Sequence, residues 1–145
     1  MGKQNFNNHR QYYIPHHFVF YPVAIALLVI SALNISKFPE EKLEWIFVTL
    51  LFFLLIFLSF IMRQHYALGN QNRIVRLEMR LRYFQLTNKR FDELEAKLTF
   101  GQIAALRFAS DEELLPLIDK TLAENLSPTD IKKSVTNWQA DYMRV

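Results

Sequence analysis

The sequence contains no cysteine, which rules out disulfides, thiolate metal sites and cysteine nucleophiles together. Its only glycines are Gly2, Gly69 and Gly101, so no glycine-rich loop is available to wrap a phosphate. Residues 18–35 and 45–62 carry no charged side chain. Segments without an ionisable group provide no relay for ions or protons by themselves. No stretch alternates apolar and polar residues as a half-buried strand would, which leaves the helix as the repeating element.

The apolar residues are concentrated in two runs, not spread as they would be around one globular core. Trp45 to Met62 contains 18 residues, 14 of them Leu, Ile, Val or Phe. As a helix it is about 27 Å long, close to the ~30 Å of a bilayer's hydrocarbon core. At roughly −0.3 to −0.6 kcal/mol per residue, those side chains favour insertion by on the order of 4–8 kcal/mol. Thr49 and Ser59 oppose it little, because their hydroxyls can bond the helix's own carbonyls. The other run, Phe18 to Ile35, contains Pro22, which is expected to kink the first turns or mark the helix start. Its length exceeds the ~7–15-residue core of a signal peptide and no small-x-small site follows, so a retained anchor is expected.

The resulting expectation is an all-α chain: a two-helix transmembrane hairpin plus a small cytoplasmic helical domain. Residues 1–17 form a cytoplasmic segment, 18–36 and 45–62 the two spans, 37–44 an external loop, and 63–145 the helical domain. The orientation follows from charge. The first 17 residues hold Lys3 and Arg10 and no acid, and residues 63–90 hold seven basic residues against Glu78 alone. The loop holds two Lys and three Glu. Positive charge stays inside, so both termini are expected in the cytoplasm of a bacterial inner membrane.

Beyond residue 62, Ile74, Leu77, Leu81 and Phe84 recur at the spacing of one helix face, and Val75, Met79 and Leu86 form a second strip. A helix with two apolar strips is expected to have neighbours on two sides. Gly69-Asn70 is the expected break between it and the second span. Thr99 with Gln102 and Ser110 with Glu113 have the spacing of capping boxes, and Ser127-Pro128 that of a capped helix start. Pro116 suggests that the Ser110 helix begins later than its cap, and Ile131, Val135 and Trp138 should line the last helix.

Candidate sites are few. His16, His17 and His65 lie at the same predicted membrane face, where two or more facing imidazoles would be needed for a metal or b-type haem. Adjacent histidines on a helix point apart and no carboxylate is near in sequence, so interfacial polar residues are expected, with no metal, cofactor or catalytic residue. Arg73, Arg76 and Arg80 form a basic stripe. Either the acidic segment 91–145, with ten acids against six bases, folds back beside it, or it faces anionic lipid or a partner. Without interleaved aromatics it does not read as a nucleic-acid surface. Ala24, Ser31 and Asn34 share a small, polar face of the first span and are the expected helix–helix contact.

The stretches QNFNNHRQYYIPHHF, NRIVRLEMRLR, GQIAALRFASDEELLPLIDKTLAENLSPTDIKKSVTNW and DYMRV resemble a family of small bacterial two-transmembrane proteins of unknown function. Some of its members carry a transporter-permease label. Two spans without an intramembrane charge do not build an alternating-access site, so that label is not adopted. The expected role is a non-enzymatic membrane protein that self-associates or acts as an accessory or scaffolding subunit of a larger membrane complex. The alternatives are a metal- or haem-binding module at the interface, or a transporter or pore component. The expected partners are the lipid bilayer and other copies or subunits, not nucleic acid.

Overall fold

The computed structural model describes residues 4–9 and 12–142, and it is all-helical with no strand among the described residues. Lys3 and Arg10, and the last three residues of DYMRV, lie outside the described residues. The chain divides into two compact units. One is a hairpin over residues 12–69; the other unites residues 70–142 with the N-terminal segment 4–9.

The hairpin consists of α1 (Tyr21–Lys37) and α2 (Lys42–Ile61), joined by a 3₁₀ turn over Pro39–Glu41. The connection is thus shorter than the expected 37–44, because the helix already starts at Lys42. Helical winding begins before α1, at Pro15, as a π turn over Pro15–Phe20 in which the Tyr21 N–H bonds the His16 carbonyl. Pro22 sits in the first α turn and has no N–H to give to Phe18. The proline therefore changes the winding ahead of it and does not mark the start. A second π turn, Met62–Ala67, follows α2, and α3 runs from Leu68 to Thr87. Gly69 and Asn70 lie inside α3, so the expected break there is absent; the departure from regular winding comes a turn earlier.

In the hairpin, the inner faces carry the small and polar groups. Ala24 and Ser31 of α1 are buried, whereas Phe53, Leu54 and Phe57 of α2 are more than 48% exposed. On α2, Thr49, Phe52, Ile56 and Ser59 recur every three to four residues as the half-buried face.

The second unit is built around an apolar core. Val75 and Met79 of α3, Phe91 and Leu98 around α4 (Asp92–Glu95), and Ile103 and Leu106 of α5 (Phe100–Leu106) contribute to it. Leu114 and Ile118 of α6 (Asp111–Glu124) and Ile131 of α7 (Pro128–Ser134) complete it. The Thr99–Gln102 capping box forms with both of its bonds. The second box does not: Ser110 makes no side-chain cap bond, and Glu113 instead accepts the Thr136 hydroxyl and the Thr136 and Asn137 N–H groups. Helix α6 starts at Asp111 and carries Pro116 within it. Asn88 and Asn125, both with positive φ, follow the last residues of α3 and α6. Asparagine tolerates this left-handed conformation better than most side chains.

Trp138 lies beyond α7, not on it. It pairs with Ala109 in an isolated antiparallel bridge and stacks on Phe108 with ring centroids 4.5 Å apart. Arg82 joins three segments: its guanidinium donates to Asp111 Oδ1 (2.6 Å) and to the Arg107 and Ala109 carbonyls. It thereby satisfies carbonyls left open after α5.

At Gly101 a Cβ would meet the Pro128 ring at 3.0 Å, so α5 and α7 approach closely because residue 101 has no side chain. Gly101→Val is expected to lower the unfolding free energy by about 1–3 kcal/mol, the usual penalty of overpacking against a rigid neighbour. Denaturant unfolding of the full chain in mild detergent, followed by tryptophan fluorescence, measures it; an unchanged midpoint would contradict the close approach.

Candidate functional site

Three surfaces hold the residues singled out from sequence. The first is the seam between α1 and α2. Ser31 Oγ donates to the Leu28 carbonyl (2.9 Å) and lies 3.0 Å from Thr49 Oγ1. With its own hydrogen committed, Ser31 accepts from Thr49, whose hydrogen is shared with the Trp45 carbonyl at 2.7 Å. One hydrogen bond thus links the two helices. Asn34 is half-buried, and its backbone carbonyl accepts the Phe38 N–H where α1 ends.

The second surface is the histidine end of the hairpin. His16 and His17 have ring centroids 5.2 Å apart and perpendicular planes, and His17 Nδ1 lies 3.1 Å from the Tyr13 carbonyl. His16 also stacks on Phe20 and meets Tyr21 edge-on. His65 contacts Tyr66. Among the described residues no three His, Asp or Glu side chains are grouped to hold a metal ion.

The third is the arginine stripe of α3. Arg76 Nη1 and Arg80 Nε each donate to one oxygen of Glu95, at 2.5 and 2.6 Å, and Glu95 is 8% exposed. Arg76 also lies over the Phe100 ring. Two of the three stripe arginines are therefore turned onto the chain's own acidic segment, as the fold-back reading has it. Arg73 is exposed.

Sequence reasoning missed a fourth surface. The Gln4 side chain, buried in the second unit, mimics a peptide group: its Nε2 donates to the Asp141 carbonyl (3.0 Å) and its Oε1 accepts the Asp141 N–H (2.8 Å) and the Trp138 indole. His9 lies beside Phe6, Phe108 and Trp138. Its Nδ1 is 2.6 Å from the Phe6 carbonyl and its Nε2 3.1 Å from Lys132 Nζ. Lys132 can only donate, so the network assigns a neutral ring protonated at Nδ1. The one local signal was the Asn5–Asn8 pairing, which closes a turn through side-chain bonds to the backbone. Its docking site, up to 137 residues away in sequence, left no periodic trace.

These arrangements fasten and orient; none presents a nucleophile beside a base. The chain matches over residues 1–145 a family described as "Family of unknown function (DUF6526)". No curated protein and no solved structure matches it.

The hydrogen bonds from Arg80 and Arg76 hold the Glu95 carboxyl below the ordinary glutamate range, outweighing the opposing effect of burial. A folded-state value lower than the unfolded one contributes stability that is present above the ordinary range and lost as pH falls through the folded value. Glu95→Gln is expected to cost roughly 1.5–3 kcal/mol at neutral pH, the worth of charge-assisted hydrogen bonds. It should also flatten the loss of stability below about pH 4.5. Chemical unfolding at pH 7 and pH 4 measures both; equal midpoints for the two proteins at pH 7 would refute the role of the triad.

Proposed function

This chain belongs to that family of unknown function, and we propose that it is a non-enzymatic membrane protein whose hairpin anchors a small helical domain at the cytoplasmic face, where the protein self-associates. The observation that carries the anchoring is the inside-out character of α1 and α2. Both are long and apolar enough to cross a membrane. Their contact buries Ala24 and Ser31, while 17 large apolar side chains on the two helices point outward. A soluble two-helix unit does the reverse. Covering the outer faces of those side chains favours a nonaqueous surround by on the order of 15 kcal/mol, comparable to the whole stability of a domain.

Orientation has two independent supports. The positive charge of residues 63–90 favours the cytoplasm for the second unit. The contacts of Gln4 and His9 with residues 108, 132, 138 and 141 support a reading in which the segments before α1 and after α2 share one side. The 3₁₀ turn at Pro39–Glu41 then faces the other compartment.

Self-association follows from the same physics. A two-helix hairpin has a single internal seam and leaves its remaining faces free for neighbours, and so does the outer side of α3, where Ile74, Leu77, Leu81 and Phe84 are exposed. In this chain α3 therefore has a neighbour on one side, where two were expected.

Membrane fractions are expected to retain the protein through alkaline carbonate extraction, and mild detergent to release a species at least twice 17.3 kDa after correction for bound detergent. Release into the soluble fraction without detergent would reject the anchor; a monomer at every concentration would reject self-association.

A further inference from the structure

The proposed self-association leaves open which surface performs it, and the inference below rests on that reading. Along α3, Ile74, Leu77, Leu81 and Phe84 are 54%, 60%, 59% and 48% exposed. Their spacing of three, four and three residues is that of two consecutive a and d pairs in a heptad. Val75, Met79 and Tyr83, at the b, f and c positions, are the ones that pack into the domain core. The helix thus commits its back to its own fold and presents a complete a/d stripe outward.

The charges beside the stripe identify its occupant. With Ile74 at a, Arg73 falls at a g position and Glu78 at the e position of the next heptad. In a parallel pair of helices g faces the following e of the partner, so Arg73 of one copy meets Glu78 of the other, twice by symmetry. Both residues are exposed, and among the described residues neither is engaged in an ion pair, whereas Arg76, Arg80 and Arg82 are bound to Glu95 and Asp111 within the chain. We propose that α3 forms a parallel two-stranded coiled coil with α3 of a second copy, with Ile74, Leu77, Leu81 and Phe84 as the seam and reciprocal Arg73–Glu78 pairs along its edges.

Two heptads are short for a coiled coil in free solution. Copies anchored in one bilayer meet at high effective concentration, which supplies what the length lacks. The charges select the parallel arrangement, because in an antiparallel pair g faces g and e faces e, and the Arg73–Glu78 match is lost.

The absence of cysteine makes the test clean. In a parallel dimer each seam residue faces its own counterpart, within the roughly 4.4–6.8 Å Cα separation that a disulfide spans. The full-length variants Leu77→Cys and Leu81→Cys, oxidised in native membranes, are expected to form disulfide dimers, and Glu93→Cys, exposed on α4, is not. In the Leu77→Cys background, Arg73→Glu or Glu78→Arg should each reduce the dimer yield roughly two- to fivefold, the range an exposed ion pair commands. The two reversals together should restore it.

Dimers no more abundant at positions 77 and 81 than at 93 would overturn the seam. So would a Leu77→Cys thiol shielded from an aqueous maleimide yet unable to form a dimer, the result if lipid or another protein covers the stripe. Should the seam variants fail while the detergent-extracted wild type remains larger than a monomer, self-association stands and uses another surface. If that species is monomeric as well, both readings fall.

Discussion

The structure depends on one inversion of packing. In α1 and α2 the fully buried residues are the small Ala24 and Ser31; Thr49, Phe52 and Ile56 are half-buried beside them, and most of the Leu, Ile, Val and Phe side chains face outward. Close approach of small residues and a hydrogen bond hold this seam together, the kind of contact that pairs helices when burying their apolar faces against each other is not what drives association. The second unit follows the opposite rule, with Ile103, Leu106, Leu114 and Ile131 fully buried and charge at its surface. One chain therefore uses two folding logics, and residues 4–9 belong to the second although they precede the first.

Within the helical unit, polar ties position the elements that the apolar core leaves loosely specified. Arg82 fixes the passage from α5 to α6, Glu113 gathers the backbone after α7, and Glu95 is shared by Arg76 and Arg80. Each is a charged group satisfied by several partners, the condition under which a partly buried charge stabilises a fold. The outcome is an α3 whose inner face packs into the core through Val75 and Met79 and whose outer face is exposed. That asymmetry is the most informative chemical feature of the fold.

What the sequence revealed was what local physics decides. The two apolar runs, the Thr99–Gln102 box and the proline-opened α7 depend on residues within one turn of each other, and all three are present. The features it concealed are decided by distant partners. Glu113 has the right spacing to cap α6, but Thr136 and Asn137 draw its carboxylate away. Trp138 fits the α7 periodicity, yet the bridge to Ala109 and the Phe108 ring take it off the helix. Gly69-Asn70 reads as a break, but Gly69 is only a modest helix penalty and neighbouring turns carry it. Of the candidate site residues, Ala24 and Ser31 share a face by spacing alone, but charge could not decide whether Arg76 and Arg80 meet the acidic segment or a lipid or partner surface, and their pairing with Glu95 depends on the fold. The docking of Gln4 and His9 was not readable, since a bidentate amide and one imidazole leave no periodic signal.

The central claim is the solvent that surrounds α2, and the depth of its outward side chains measures it directly. Nitroxide labels on single cysteines replacing Leu50, Phe53, Leu54 and Phe57 in the bilayer-reconstituted protein report collisions with oxygen, which concentrates in hydrocarbon, and with a water-soluble nickel chelate. The account predicts high oxygen and low nickel accessibility at all four, with depth greatest near the middle of the helix. Ready nickel access at these positions, or exclusion of both reagents as in a protein interior, would contradict it.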